Sequence, residues 1–281
     1  MKFAKYWKKH DVTVDADIFG REKISIWGAS NSSENDAGLH AEKRLASMQA
    51  FLKGDFSKED EYEYWIDFVK EEILDEVDAA DGEPLAVLSR NGYGASVLNT
   101  DSVVFGDIDI SPDSAGLFDR IMHLFGRPKK DKPFVVEQIE RYQRQHPSLS
   151  FRVYETHSGI RFMLTNQHYS PGDAVVEAMF QALNVDPLYT TLCKQQDCFR
   201  ARLTPKPWRV GLTRPSSRYP RSSDSEQREF ERWLKEYESA SSAYTTTKHL
   251  ASFGEERVSA DIQKVIDIHD GRHSKASADL A

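Results

Sequence analysis

Cysteine is scarce in this chain: Cys193 and Cys198 are the only two among 281 residues. A zinc site needs a second cysteine pair or paired histidines at ligand spacing, and neither accompanies these two residues. We therefore expect both cysteines to be reduced thiols in a cytoplasmic protein.

Long apolar runs are also missing. No stretch approaches the roughly 20 residues needed to span a bilayer, and the lysine-rich first segment lacks the apolar core of a secretory signal. With 39% hydrophobic and 29% charged residues, the composition is that of a soluble globular protein with one large or two smaller domains. We expect a cytoplasmic protein with no membrane partner.

Three common signature motifs do not occur. The sequence has no Gly-x-Ser-x-Gly nucleophile elbow, no Walker phosphate loop and no Rossmann glycine fingerprint. Evidence for function must come from less specific patterns of charge and strand position.

Positive charge is in the minority but is concentrated in one segment. The formal net charge of −8 argues against broad nonspecific binding of nucleic acid. From Lys194 to Arg221, however, Asp197 is the only acidic residue. A local basic patch on an acidic protein suits a phosphate-bearing ligand, although a solvated arginine-rich loop is an alternative explanation. The basic residues are Lys194, Arg200, Arg202, Lys206, Arg209, Arg214, Arg218 and Arg221.

The hydrophobic pattern predicts an α+β fold, in which helices flank an antiparallel sheet and a helical segment ends the chain. Paired strands are expected at 11–19 and 21–27, followed by a helix through Leu52. The acidic segment 59–80 has apolar residues at helical spacing and predicts a helix. Strands at 85–89, 95–98 and 103–110 predict an antiparallel meander.

The second half of the chain alternates between helices and short strands. We expect a helix capped at Ser111 and a second through Gln145, a hairpin at 151–156 and 160–165, and a helix after Ser170. Short strands follow at 198–203 and 208–212, then a loop and helices from Ser225 onward. The predicted regions are 1–81 (hairpin and helices), 82–215 (the α+β core with the candidate site) and 216–281 (loop and C-terminal helices).

The third strand of the predicted meander ends in Asp107-Ile108-Asp109. Side chains alternate across a strand, so the two carboxylates share a face. Their mutual repulsion is relieved when a cation, a base or water lies between them, which makes the pair a candidate divalent-metal site. A solvated strand edge or a cap of the next helix is the alternative.

Two further segments carry groups suited to phosphate. The predicted turn at 157–159 contains a glycine whose backbone N–H groups can face an anion. On the strand at 198–203 two arginines share a face, and a rigid Pro-Lys-Pro loop follows. The candidate phosphate-binding residues are His157, Ser158, Gly159, Arg161, Arg200, Arg202, Lys206 and Arg209. With the Asp pair they form the minimum set for metal-assisted phosphoryl chemistry.

These segments, together with Arg90-Asn91-Gly92-Tyr93-Gly94, resemble a family of bacterial proteins with no established activity. More distantly, the order of elements resembles the archaeo-eukaryotic primase superfamily. Its members carry an Asp-x-Asp metal pair on a strand of an RRM-like sheet, and a Ser-x-His or Ser-Gly-x-x-His nucleotide-binding motif on a later hairpin. A third carboxylate lies on another strand.

The primase resemblance implies an RRM-like, primase-like sheet and a nucleotide- or nucleic-acid-handling protein. Asp107 and Asp109 match the first motif and would bind Mg²⁺ or Mn²⁺. Ser158-Gly159 matches the second motif in part, with Arg161 near the place of its histidine. Asp107, Asp109 and Arg161 would then be the catalytic groups of a nucleotidyltransferase or other phosphoryl-transfer enzyme. Possible third carboxylates are Asp173, Asp186 and Asp197.

Two other functions remain open from the sequence. A non-catalytic protein with a degenerate site would use the basic patch to bind nucleic acid or an acidic partner, and a purely structural protein would bind neither metal nor nucleotide. His269-Asp270 could be half of a phosphohydrolase metal site, but the further ligands that such a site needs are not evident.

Overall fold

The N-terminal region forms a long β-hairpin and a helix, as its alternating pattern predicts. The computed structural model describes residues 1–16, 20–52, 68–110, 131–271 and 278–281. They form two units, Lys2–Glu71 and Glu72–Ala281, the second of which also includes Met1. In the first unit, β1 (Tyr6–Ala16) pairs antiparallel with β2 (Gly20–Ser30).

Helix α1 (Glu34–Leu52) follows the hairpin and lies directly against β2. Ser33 caps it, because the Ser33 hydroxyl accepts a hydrogen bond from the Asp36 amide at 3.1 Å. Gly28 of β2 permits the close approach, since a Cβ atom there would lie 1.9 Å from the carbonyl oxygen of Ala37. The predicted hairpin and the helix through Leu52 are both confirmed, although β1 begins earlier, at Tyr6, and Gly20, predicted between the strands, is the first residue of β2. Residues 17–19 of the predicted first strand lie outside the described residues.

Two four-stranded sheets form the framework of the second unit. The first has the strand order β3-β4-β5-β9, and the second has the order β11-β7-β8-β6. All neighbours within these two sheets are antiparallel. The strands are β3 (Glu72–Asp78), β4 (Pro84–Arg90), β5 (Ser96–Thr100), β6 (Phe105–Asp109), β7 (Phe151–Thr156), β8 (Gly159–Leu164), β9 (Phe199–Arg202) and β11 (Thr247–Phe253). A short parallel pair, β10 (Tyr244–Thr245) with β12 (Asp279–Leu280), lies outside them.

Helices flank these sheets, and one hydrophobic cluster joins them. Ile139, Met179 and Ile266 bring three helices onto core residues of both sheets, among them Leu98 and Phe162. The helices of this unit are α2 (Lys132–Gln145), α3 (Ala174–Ala182), α4 (Pro187–Gln196), α5 (Asp224–Ser241) and α6 (Ala260–Gly271). The predicted α+β class is therefore correct, and no helix in the described ranges is long and apolar enough to cross a membrane.

Cys193 and Cys198 are free and buried in this unit. Burial raises the pKa of the Cys193 thiol to about 12, so the thiolate form is suppressed near neutral pH. The structure thus agrees with two reduced cysteines, of which Cys193 packs in the core.

Three local predictions are wrong, two of them because tertiary strand pairing overrides the local pattern. Residues 72–78 form β3, an acidic edge strand beside β4, rather than a helix; residues 59–67 of that predicted helix lie outside the described residues. Residues 208–212 do not form a strand, because the amides of Val210 and Leu212 both bond back to the Pro207 carbonyl in a 3₁₀ turn (Pro207–Arg209). Within the predicted C-terminal helices, residues 247–253 form β11.

The predicted meander is also wrong in its last step. Strand β6 does not pair with β5; it pairs with β8, in the other sheet. The chain crosses between the sheets at residues 101–104, where the Val104 carbonyl already accepts a hydrogen bond from the Leu164 amide at 3.0 Å. This crossing places the Asp pair on the edge of the second sheet. The predicted helix at 111–125 lies outside the described residues.

Candidate functional site

The two carboxylates of β6 differ sharply in their surroundings. Asp107 lies opposite Arg161 in the β6–β8 register, and Asp109 lies opposite Gly159. Asp107 accepts two hydrogen bonds from Arg161, from Nε to Oδ1 at 2.7 Å and from Nη2 to Oδ2 at 3.0 Å. Asp109 is exposed at the end of the strand. The pair on one face, as predicted, is therefore one neutralised and one free carboxylate.

Arg161 is almost fully buried, with 3% of its surface exposed, and it is held from three sides. Besides Asp107, its Nη1 donates to the carbonyl oxygen of Arg202 at 3.1 Å and lies 3.5 Å from Nε2 of His269. Burial favours loss of the charge, but the charge and hydrogen bonds of Asp107 raise the pKa of Arg161 overall. This guanidinium is a fixed, permanently charged part of the floor of the site.

His269 supports Arg161 from behind. Burial lowers the pKa of His269, so the imidazole is neutral near pH 7. Its Nδ1 lies 2.9 Å from Oδ1 of Asp270. The other carboxylate oxygen, Oδ2, accepts a hydrogen bond from Arg152 Nη2 at 2.8 Å. The tautomer that satisfies both contacts donates from Nδ1 to Asp270 and accepts from Arg161 at Nε2. The sequence had offered His269-Asp270 as half of a metal site, whereas the structure uses the pair in a buried hydrogen-bond network.

A cleft with a volume of about 200 Å³ opens in front of Asp107 and Arg161. Charged side chains from both sheets and from the loops that follow them line it. Apart from the Asp107–Arg161 pair, this lining has an acidic group, Asp109 and Asp186, and a basic group, Arg202, Lys206 and Arg209. The charged lining residues are Asp107, Asp109, Asp186, Arg161, Arg202, Lys206 and Arg209. The cleft therefore joins the Asp pair to the basic segment, as the sequence analysis expected of a functional site.

Three cations form the basic group of the lining. Arg202 lies at the end of β9, and Lys206 and Arg209 lie in the loop and turn that follow. Burial and the neighbouring Arg202 and Arg209 lower the pKa of Lys206, and burial and Arg202 lower the pKa of Arg209. Within the described part of the chain, none of the three forms an ion pair, and the buried Nε of Arg202 has no hydrogen-bond partner. Three like charges held together without a carboxylate partner favour an anion.

Asp186 and Asp109 form the acidic group of the lining. It caps α4 by accepting a hydrogen bond from the Leu188 amide at 2.8 Å, and its own amide donates to the Asp107 carbonyl at 3.1 Å. Burial, Asp107 and Asp186 raise the pKa of Asp109, against the opposite effect of Lys206 and Arg209. These carboxylates thus repel one another and favour a cation between them.

Of the three possible third carboxylates, only Asp186 lines the cleft. Asp173 accepts a hydrogen bond from the Ser170 amide, and Asp197 lies 3.4 Å from the N-terminal amine. Among the described residues, no group of three or more histidine, cysteine or acidic side chains has the geometry of a metal site. A cation here would therefore need oxygen atoms from a ligand as well.

The predicted phosphate-binding residues divide into two sets. Arg161, Arg202, Lys206 and Arg209 line the cleft, and Ser158 does so while its hydroxyl accepts a hydrogen bond from Arg209 Nη2 at 2.7 Å. The remaining three, which do not line it, are His157, Gly159 and Arg200.

The three residues outside the cleft have other contacts. His157 Nδ1 lies 3.1 Å from the Leu280 carbonyl, and Arg200 Nη1 donates to Gln196 Oε1 at 2.6 Å. The Gly159 amide donates to Thr156 Oγ1 at 3.0 Å, so it does not face an anion. Glycine is needed there for another reason: a Cβ atom would lie 2.0 Å from the Ile108 carbonyl oxygen.

Tyr189 also lines the cleft, although it is not among the predicted site residues. Its hydroxyl donates to the Phe105 carbonyl of β6 at 2.9 Å and accepts from the Arg200 amide of β9 at 3.2 Å. It therefore connects the facing edges of the two sheets. No local pattern could have identified it, because its role depends on two strands that are distant in sequence.

Comparison of the chain with protein-family models, with curated proteins and with solved structures found no match.

Proposed function

We propose that this cleft binds the phosphate groups of a nucleotide or of nucleic acid together with Mg²⁺ or Mn²⁺. The observation that carries the proposal is the separation of unpaired charge within one small space. Asp109 and Asp186 contribute negative charge, and Arg202, Lys206 and Arg209 contribute positive charge, with no ion pair for any of them among the described residues. A metal–phosphate complex presents a cation to the first group and an anion to the second.

The acidic group suits a cation that is also coordinated by the phosphate of the bound ligand. Magnesium is usually held by one or two carboxylates with the remaining positions filled by water and substrate phosphate. Asp109 has a free carboxylate, and Asp186 keeps one oxygen that is not used in capping α4. When bound, the ion would neutralise phosphate charge. Arg161 would hold Asp107 in place, and Lys206 and Arg209 would orient the phosphate oxygens.

Asp109→Asn tests the proposal with the least disturbance of the fold, because Asp109 is exposed and forms no ion pair in the described ranges. We expect at least a roughly 10-fold loss of affinity for ATP in the presence of Mn²⁺, measured by titration calorimetry, since a charged contact contributes about 1.5–3 kcal/mol. Asp267→Asn, which removes the same charge from the exposed face of α6, is the matched control. Equal affinities for the two variants would contradict the assignment.

A non-catalytic anion-binding protein is the second candidate function. One observation favours it: both oxygens of Asp107 are occupied by Arg161, so the Asp pair does not offer two free carboxylates. In that case oligonucleotide binding would persist in EDTA and weaken steeply with salt. Loss of binding in EDTA would instead support the metal-dependent function.

A further inference from the structure

The cleft is too small to enclose a whole nucleotide. Its volume is about 200 Å³, whereas pockets that bury a drug-sized ligand measure about 300–1,000 Å³. Its charged lining suits the phosphates, so the sugar and base of a nucleotide must lie over the rim. The side chains at the basic rim therefore decide which class of phosphate ester can bind.

An exposed aromatic residue, Trp208, lies in the chain between the lining residues Lys206 and Arg209. It is 47% exposed and belongs to the 3₁₀ turn that also carries Arg209. The turn begins at Pro207, and the buried Pro205 precedes it, so the backbone that carries Trp208 has little conformational freedom. An aromatic side chain on a short rigid turn loses little entropy when a ligand stacks on it.

Two cations lie near the ring of Trp208, and one of them lines the cleft. The Nζ atom of Lys206 lies 5.6 Å from the centre of the indole ring, and the guanidinium of Arg214 lies 5.0 Å from it. Lys206 is itself a lining residue. A ligand whose phosphate is bound by Lys206 would thus carry its next group toward the indole.

Tyr93 enlarges the aromatic surface. Its ring packs edge-on against Trp208, with the ring centres 5.4 Å apart. Tyr93 is also close enough to the lining residue Arg209 to raise its pKa, although burial and Arg202 lower that pKa overall. The loop that carries Tyr93 bonds to itself through Asn91, whose side-chain oxygen accepts from the Tyr93 and Ala95 amides at 3.3 and 3.0 Å.

We propose that Trp208 and Tyr93 form a stacking platform for a nucleobase, which makes the preferred ligands of the cleft nucleotides or single-stranded nucleic acid rather than inorganic polyphosphates or sugar phosphates. The inference rests on the proposed phosphate-binding function. A base stacks on an indole through its flat face, and the neighbouring Lys206 and Arg214 supply positive charge for the backbone. Such a platform tolerates any base, because each base has a π-face.

The test compares ligands with and without a base on the same variants. Wild-type protein, Trp208→Ala and Trp208→Phe are titrated with ATP and with inorganic tripolyphosphate, each in the presence of Mn²⁺. We expect Trp208→Ala to weaken ATP roughly 5- to 100-fold, the range for one stacked base. Trp208→Phe should retain most of the affinity, and tripolyphosphate should bind all three proteins alike. Leu250→Ala, which removes an exposed apolar side chain from β11, is the control.

A second arm distinguishes the two sources of the base. A short oligothymidylate and an abasic oligonucleotide of equal length are compared without nucleotide, and tryptophan fluorescence reports stacking. Tighter binding of oligothymidylate than of ATP, with quenching that is lost in Trp208→Phe, would identify nucleic acid as the ligand; the reverse order would identify a free nucleotide.

The outcomes separate this inference from the function beneath it. If the wild type binds tripolyphosphate as tightly as ATP, or if Trp208→Ala weakens both equally, the stacking platform is wrong while the phosphate cleft stands. If the wild type binds none of the four ligands, both proposals are wrong.

Discussion

The cleft and the buried network behind it are both rich in charge, but they treat that charge in opposite ways. In the network, Asp107, Arg161, His269, Asp270 and Arg152 are joined by successive hydrogen bonds. In the rest of the cleft lining, Asp109 is repelled by Asp107 and Asp186, and Lys206 is repelled by Arg202 and Arg209. Charge that stabilises the fold is paired with opposite charge, whereas charge without such a partner is available to bind a ligand.

Breaking the network should have the largest effect on stability. Asp107→Asn leaves the buried Arg161 guanidinium without its counter-ion, a change that costs about 3–5 kcal/mol for a buried pair. We expect urea denaturation to show a loss of that order. An effect below about 1 kcal/mol would mean that Arg161 is compensated by solvent rather than by Asp107.

His269 should contribute less, and in a pH-dependent way. His269→Gln disturbs the hydrogen bonds to Arg161 and Asp270, a loss of about 1–3 kcal/mol at neutral pH. Because burial lowers the folded-state pKa of His269, the unfolded chain takes up its proton first, below about pH 6.5. Wild-type stability should therefore be full above that pH and fall as the pH drops toward the folded-state pKa.

The pH-dependent loss can be assigned by comparing two variants. His269→Gln should flatten the stability curve below about pH 6.5. His249→Gln is the second variant, because the pKa of His249 is also lowered, chiefly by burial and by Arg152, and His249 therefore contributes to the same loss. A curve that keeps its wild-type slope in His269→Gln would show that another group causes the loss.

Removing charge from the cleft should have the smallest effect on stability and a large one on binding. Lys206→Met relieves the repulsion with Arg202 and Arg209, so we expect the free energy of unfolding to stay within about 0.5 kcal/mol of wild type. Affinity for tripolyphosphate with Mn²⁺ should fall roughly 10-fold. Lys235→Met, on the exposed face of α5, is the matched control. A Lys206 variant that loses stability but keeps its affinity would reverse the comparison between the two regions.

The sequence predicted the parts of the site better than their connections. Alternation along 103–110 predicted that Asp107 and Asp109 share a face. Of the five cations expected to hold phosphate, four line the cleft and Arg200 does not. The pattern could not show that β6 leaves the meander, because nothing local distinguishes pairing with β5 from pairing with β8. For the same reason, the ion pair of Asp107 with Arg161 was not foreseen.

Some residues were misplaced because one local signal has several physical causes. Gly159 was expected to free backbone N–H groups for an anion, but it is required by the close approach of the Ile108 carbonyl. Arg200 and Arg202 share one face of β9, as predicted. Only Arg202, at the end of the strand, lines the cleft. Tyr189 and His269 act through contacts with distant strands, which alternation and composition cannot reveal.

Strand β11 determines whether β7 of the second sheet has an open edge. It covers the edge of β7, and the helix that follows it supplies His269 behind Arg161, although the charged cleft residues all precede residue 210. A chain released before residue 247 would carry every charged lining residue and still leave β7 with an open edge, a known invitation to aggregation. The segment after residue 247 is therefore needed to protect the second sheet, not to supply the charge of the cleft.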